Sequence, residues 1–376
     1  ADCLQPLLFS RSALYNRGNK THFGAAKSST QAKITLLQRA EKLNRRTTMQ
    51  YTILKSTGLK VSRMCLGTMT FGGQADKEES RRIFDFCLDH GVNFVDTADI
   101  YTNGQSETFV GEFMKGRRDE IVLATKVGGP SAKGQNGMRL SRKHILESVD
   151  MSLSRLRTDY IDIYYMHFPD AFTPYEEIIS TMDMLVRSGK IRYYGTSNHA
   201  AWQCCSMVHL AREMNCVPPV LTQTVYNLLT RGAEDELIPF MEKYNYGMTV
   251  FNPLAGGLLT GKHKRGKPVE NTRMSEKGYA MRYFKDINFD AMDILTKAAE
   301  ENGMSLLELS YKWLLSQKAV DSIICGVSKF SQITQNMEYF KGSSEEPKNT
   351  PLPESVLAQC DEAWNLLRGK YWNYHY

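Results

Sequence analysis

The chain reads as an α/β protein, and from Met49 onward as a (β/α)8 barrel, on three observations. Eight short runs rich in β-branched and aromatic residues alternate with helix-like stretches, the pattern of parallel strands buried on both faces under covering helices. Polar side chains close several of those runs, among them Asp96, Lys126, His167 and Asn198. In a parallel barrel the strand C-termini all open on one face, so these groups converge there. The competing doubly wound sheet loses because no Gly-x-Gly-x-x-Gly follows the first strand. Gly72-Gly73 and Gly256-Gly257-Leu-Leu-Thr-Gly261 have other spacings.

Residues 1–48 come first and have no strand pattern. They are rich in Ser, Thr, Lys and Arg, with Asp2 and Glu41 the only acidic residues. They read as a leader upstream of the folded unit, with an organellar transit segment as the alternative. Ala32–Leu43 is the stretch with helical character, and the rest is expected to lack order. The folded unit then spans 49–376. It opens with a β-hairpin over Tyr51–Val61 that turns at Ser56-Thr57-Gly58.

The expected barrel strands are Arg63–Gly67, Asn93–Asp96, Ile121–Lys126, Tyr160–His167, Ile191–Thr196, Val220–Gln223, Met248–Phe251 and Ser322–Cys325. Between them, Lys77–His90 is amphipathic and stops at Gly91. Ser141–Leu156 begins with an N-cap serine and repeats Ile145, Val149, Leu153 and Leu156 at helical spacing. Thr173-Pro174 opens another helix, and Glu234–Tyr244, Asp290–Asn302 and Lys329–Phe340 follow. Two features are additions to a plain barrel. Pro253–Ile287 is a long basic loop, of the length that is usually functional. Pro353–Arg368 is an extra amphipathic C-terminal helix, followed by the aromatic tail Tyr371–Tyr376.

Composition narrows the function. A net charge of +6 spread along 376 residues favours an anionic small molecule over nucleic acid, which requires a concentrated basic face. No apolar run reaches the length of a membrane span. The eight cysteines include no C-x-x-C pair, and no His/Cys cluster has metal-ligand spacing. They read as small core residues in a reducing, cytoplasmic compartment; for the adjacent Cys204-Cys205, helix packing is favoured over a vicinal disulfide.

Taken singly, the strand-end residues have ordinary explanations: a loop-capping Asp, a packed Tyr, a solvated Lys, a core His. Together they carry complementary chemistry. A phenol, an ammonium, a carboxylate and an imidazole, from Tyr101, Lys126, Asp96 and His167, gathered on one face point to proton-transfer chemistry.

This ordered set resembles the aldo-keto reductase superfamily, over nearly all of Met49 to Arg368. The motifs are Leu66-Gly67-Thr68, Asp96-Thr-Ala-Asp-Ile-Tyr101 with Glu107 and Gly111 behind it, Thr125-Lys126, Met166-His167, Gly195-Thr-Ser-Asn198, Gln223, Pro253-Leu254, and Ile324-Cys-Gly-Val-Ser328 leading to Gln332 and Asn336. The length, the long loop and the Gly-Val-Ser motif resemble the branch holding bacterial and plant reductases and potassium-channel β subunits. The resemblance implies a TIM barrel that transfers hydride between NADPH and a small carbonyl, with NADH as the alternative cofactor. A carbonyl being reduced develops negative charge on oxygen and calls for a proton donor; the expected donor is Tyr101, with Lys126 to favour the phenolate, Asp96 to hold Lys126, and His167 to orient the carbonyl or relay the proton. It implies cofactor contacts from Gly67, Thr68, Met69 and Asp96 on the first strands. Ser197, Asn198 and Gln223 would hold the carboxamide, and Phe251 would stack on the nicotinamide ring. Asn252, Pro253, Leu254 and Gly257 follow in the loop, Lys262 and Arg273 near the phosphates, and Gly326, Ser328, Gln332, Gln335 and Asn336 at the adenosine end, where the helix start also offers N–H groups.

Two positions depart from the family pattern: Asn252 stands where Ser is common and Gln335 where Glu is common. Gln332 supplies no guanidinium for a 2′-phosphate, leaving that role to Lys329. The expected pocket walls are Met69, Phe71, Tyr101, Phe168, Tyr226 and the long loop. A cofactor-binding redox-sensing regulatory subunit, and a sugar or polyol dehydrogenase working oxidatively, are the competing functions. No metal is expected, and the chain is expected as a monomer or homo-oligomer.

Overall fold

Strands with no polar face have to be covered on both sides, and here they close on themselves. The computed structural model describes residues 49–375 apart from 271, 276, 343–350 and 370–372. The expectations for residues 1–48 and for the outer part of the aromatic tail lie outside the described residues. A hairpin of β1 (Tyr51–Ile53) and β2 (Lys60–Ser62) leads into the barrel. Its staves are β3 (Met64–Gly67), β4 (Phe94–Asp96), β5 (Val122–Val127), β6 (Ile161–Met166), β7 (Ile191–Ser197), β8 (Leu221–Val225), β9 (Gly247–Phe251) and β10 (Ser322–Gly326). They pair in chain order, β10 closing on β3, and every pairing is parallel.

The period of two along each strand sorts side chains into two cores. Phe94, Val122, Ala124, Ile163, Tyr165, Leu221 and Ile324 point inward and fill the barrel. One further step along the same inward face brings Asp96 after Phe94, Lys126 after Ala124, His167 after Tyr165 and Gln223 after Leu221. The site is therefore the top layer of the barrel filling, with polar residues in place of apolar ones. The hairpin seals the opposite end. Leu54 and Val61 are fully buried against that interior, and Lys55 pairs with Asp321 at 3.0 Å.

The helices are α1 (Lys77–Asp89), α2 (Gln105–Phe113), α3 (Arg142–Leu156), α4 (Tyr175–Arg187), α5 (Ala201–Glu213), α6 (Leu237–Tyr244), α7 (Lys277–Tyr283), α8 (Asp286–Glu301), α9 (Leu306–Ser316), α10 (Phe330–Met337) and α11 (Glu354–Leu367). Asp76 caps α1 through the Glu79 N–H, and Ser141 caps α3 through that of His144.

Several boundaries correct the sequence reading. The stretch expected as one helix over Glu234–Tyr244 divides into a 3₁₀ turn at Gly232–Glu234 and α6. α8 starts earlier, at Asp286. The long loop is not structureless, since it holds 3₁₀ turns at Ala255–Thr260 and Arg273–Ser275 as well as α7. Helices α2 and α9 have no counterpart in the sequence reading, and α5 has one only in the helix packing expected of Cys204-Cys205. α9 buries most of its circumference and keeps only a narrow polar stripe, Glu308, Lys312 and Ser316, which makes its helical period hard to read. Cys204 and Cys205 are free thiols on α5. The end of the chain packs on the same face as the site: Tyr374 is buried, its hydroxyl donates to Glu236 and accepts from the Ala201 N–H at 3.1 Å, and its carbonyl accepts from Thr224. Among the described residues no helix is long and apolar enough to cross a membrane.

Candidate active site

A cavity of ≈ 270 Å³ opens where the strands end, lined from β3, β4, β6, β7, β8, β9, β10 and the long loop. Asp96, Tyr101 and His167 line it; Lys126 is fully buried behind them and does not line the cavity itself, and burial makes its partners decisive. Its ammonium donates to Asp96 Oδ1 at 2.6 Å, to the Thr97 carbonyl at 2.6 Å and to the Tyr101 hydroxyl at 3.2 Å. The other oxygen of Asp96 accepts from Gln223 Nε2 at 2.7 Å. Both carboxylate oxygens thus face donors, and the carboxylate and ammonium hold each other in place. Burial works to discharge Lys126, but Asp96 and Tyr101 outweigh it and hold it protonated.

Tyr101 follows β4 through a tight turn and stands edge-on to His167, ring centres 6.0 Å apart. Its titration corrects the sequence reading. Burial is the largest influence and pushes the phenol up; Lys126 pulls it down without reversing that direction. The sequence reading counted the neighbouring charge, which acts in the expected direction, and left out the desolvation. His167 is pushed well below its ordinary range by burial, with Lys126 adding to the effect, so its ring is neutral at physiological pH. Phe168 stacks on it at 4.3 Å.

The remaining predicted residues fall into two groups. Gly67 at the end of β3 with Thr68 and Met69 just after it, Ser197 at the end of β7 with Asn198 just after it, and Gln223, Phe251, Asn252, Pro253, Arg273 and Gly326 all line the same cavity. Asn198 sits at φ 63, and its amide donates to the His167 carbonyl at 2.9 Å, tying β7 to β6. Leu254 packs against the outer core, and Gly257 occupies a left-handed turn at φ 95. Asn252 is committed to its own loop: its amide donates to the Tyr283 hydroxyl at 2.7 Å and its oxygen accepts from Gly256 N–H at 2.6 Å.

At the far end, Lys262 lies close enough to Arg273 and Lys329 that burial and those two charges together weaken its hold on its proton. None of these three cations has a carboxylate partner among the described residues. The Arg273 guanidinium lies over Gly326, where a Cβ would come within 3.3 Å of it. The start of α10 is already capped. Gln332 Oε1 accepts from Ser328 N–H at 3.0 Å and Lys329 N–H at 3.2 Å, and Glu79 accepts from Phe330 N–H at 2.6 Å. Asn336 is buried on α10 and Gln335 faces solvent.

Two expected wall residues lie elsewhere. Phe71 packs on Phe113, and Tyr226 packs on Trp313 with its hydroxyl on Glu234. Ile100, Tyr279 and Ile324 line the cavity instead. Tyr279 comes from α7, whose position over the mouth no local pattern marks.

Comparison with known proteins follows the same outline. Residues 63–365 match the Aldo/keto reductase family. The chain is similar to a probable voltage-gated potassium channel subunit beta of Arabidopsis thaliana, 39% identical over 300 residues covering 77% of this chain and 90% of that protein. It is also similar to the probable subunit of that description in Oryza sativa subsp. japonica, 38% identical with those same coverages, 77% and 90%. A putative one from Schizosaccharomyces pombe is 36% identical over 327 residues, covering 84% of this chain and 93% of that protein.

Proposed function

We propose, since the chain belongs to the aldo/keto reductase family, that it reduces aldehydes or ketones to alcohols with NADPH, Tyr101 serving as general acid. The observation that carries the reading is the single buried ammonium of Lys126 bridging two cavity-lining groups, Asp96 and the Tyr101 hydroxyl. A bound nicotinamide dinucleotide supplies the hydride. The chain's residues suit such a molecule at both ends. Phe251 offers an aromatic face beside Ser197, Asn198 and Gln223. Lys262, Arg273 and Lys329 crowd together without an anion of their own, which favours a phosphate among them. That crowding also favours NADPH over NADH.

The proton chemistry follows from the electrostatics. Burial keeps the Tyr101 phenol protonated at neutral pH, the state an acid needs when the carbonyl oxygen gains charge. Lys126 stabilises the phenolate left behind. Neutral His167 donates a hydrogen bond to the carbonyl oxygen and adds no charge of its own, which favours the orienting role over the proton relay. An oxidative dehydrogenase would call for the phenolate as base, so a raised phenol disfavours that reading.

The names of the relatives support a second reading: a regulatory subunit that binds the dinucleotide and acts on a channel-like partner. Turnover separates the two. Purified protein is expected to oxidise NADPH with a panel of aldehydes. Tyr101→Phe is expected to bind NADPH as tightly and lose about 10²–10⁴-fold in kcat, the range for a removed general acid. A variant with full turnover refutes the role of Tyr101. A wild-type protein that binds NADPH and reduces nothing in the panel favours the regulatory reading.

A further inference from the structure

We propose that Arg155 and Glu107, which lie outside the reaction itself, are positioning residues that lock the Tyr101 loop to the strand carrying Lys126. The inference rests on the proposed reading of Tyr101 and Lys126. Tyr101 is followed by three left-handed residues, Thr102 at φ 46, Asn103 at φ 54 and Gly104 at φ 84. Two of them carry side chains, for which that region is unfavourable, so the turn persists only if its surroundings hold it.

Arg155, at the end of α3, supplies the hold. Its Nη1 donates to the Asp99 carbonyl at 3.2 Å and to Glu107 Oε2 at 3.1 Å. Its guanidinium lies flat against the bare backbone of Gly104, where a Cβ would come 2.5 Å from Cζ. One guanidinium therefore grips the chain on both sides of Tyr101. Glu107 completes the link. Its carboxylate is wholly buried, and Oε1 accepts from the Thr125 hydroxyl at 2.7 Å. Thr125 immediately precedes Lys126 on β5. The path Asp99–Arg155–Glu107–Thr125 runs parallel to the Tyr101–Lys126 contact and fixes the 3.2 Å between phenol and ammonium. With the path cut, the turn relaxes and the phenol withdraws from the ammonium.

The test uses Arg155→Met, Arg155→Lys and the double variant Arg155→Met/Glu107→Gln, which leaves no buried unpaired carboxylate. Folding is checked by circular dichroism. In Arg155→Met and the double variant, kcat is expected to fall about 100-fold, the cost of a misplacement near 1 Å, while NADPH affinity changes less than about twofold, well below the roughly 5-fold at which site coupling usually begins. The alkaline limb of the kcat–pH profile is expected to move to higher pH, because the phenol has lost the ammonium that favours its ionised form. Arg155→Lys keeps a charge but cannot span two acceptors as a planar fork does, so an intermediate kcat is expected.

A crystal structure of the double variant reads the Tyr101–Lys126 separation without reference to activity. A separation kept at 3.2 Å, or NADPH affinity falling in step with kcat, overturns the inference. Tyr101→Phe is the control. Turnover retained there defeats the reading of the site, and the crystallographic separation still decides the clamp. Turnover lost there but kept in folded Arg155→Met defeats the clamp alone.

Discussion

A single buried charge shows how desolvation and pairing compete at this site. Asp99 stands two residues before Tyr101 and has no cation on its side chain comparable to the Lys126 that holds Asp96. Burial, with Glu107 adding to it, outweighs the Ser131 hydroxyl and pushes its carboxyl up to about 7. The sign of the consequence is fixed by linkage. The folded state binds this proton more tightly than the unfolded chain, so the contribution favours folding in acid and is lost as pH climbs from the ordinary carboxylate value to about 7. Asp99→Asn is therefore expected to gain stability over wild type at pH 8, by at most ~4 kcal/mol at 1.36 kcal/mol per pH unit, and to gain less at pH 5. Urea unfolding at the two pH values checks it, and an equal gain at both would refute the assignment. Residues of this kind also mark what the sequence leaves hidden. Asp96, Tyr101, Lys126 and His167 were legible because each closes its own strand or the turn after it, and strand ends are local. The Arg155–Glu107 link joins α3 to α2, and the upward push on Tyr101 depends on what surrounds the phenol; neither has a local pattern.

Elements were legible in proportion to how one-sided they are. The strands read clearly because β-branched runs between helices have few other fates. α1 and α3 read clearly because a capped start and a polar stripe mark them. α9 is hard to read for the opposite reason, its polar side being narrowed to Glu308, Lys312 and Ser316. The hairpin was expected from its turn, but its task emerges only in three dimensions, where Leu54 enters the barrel floor beside Gly247. That arrangement separates stability from the site. Leu54→Ala is expected to cost about 2–5 kcal/mol, the range for truncating a buried leucine, because the barrel floor cannot collapse around the hole. NADPH affinity is expected to hold, since the cavity lies at the other end of the strands. Urea unfolding and a fluorescence titration of cofactor check the two halves, and a loss of affinity matching the loss of stability would contradict this division of labour.

At the scale of the whole molecule, the net charge of +6 matters less than where three of its cations are held. Lys262 and Arg273 come from the long loop, and Lys329 from the turn between β10 and α10. The loop and that turn are joined covalently only through α7, α8, α9 and β10, yet their charges are near enough for Arg273 and Lys329 to destabilise the proton on Lys262. In the absence of an anion this repulsion works against the folded arrangement; a polyphosphate placed among the three removes it. Ligand binding then stabilises the fold by mass action, about 2.7 kcal/mol at a concentration 100-fold above Kd. A ligand bearing a further phosphate gains more if that group meets the same cations. NADPH is therefore expected to raise the Tm of the wild-type protein more than NADH at equal concentration, with the difference shrinking as salt screens the charges. Lys262→Met combined with Lys329→Met is expected to lower the NADPH-induced shift toward the NADH one, while the unliganded Tm holds or rises because a like-charge contact has gone. Scanning calorimetry with each dinucleotide at two ionic strengths measures all four quantities. Equal shifts for NADPH and NADH in the wild-type protein would show that these cations do not discriminate between the two, whatever else they hold.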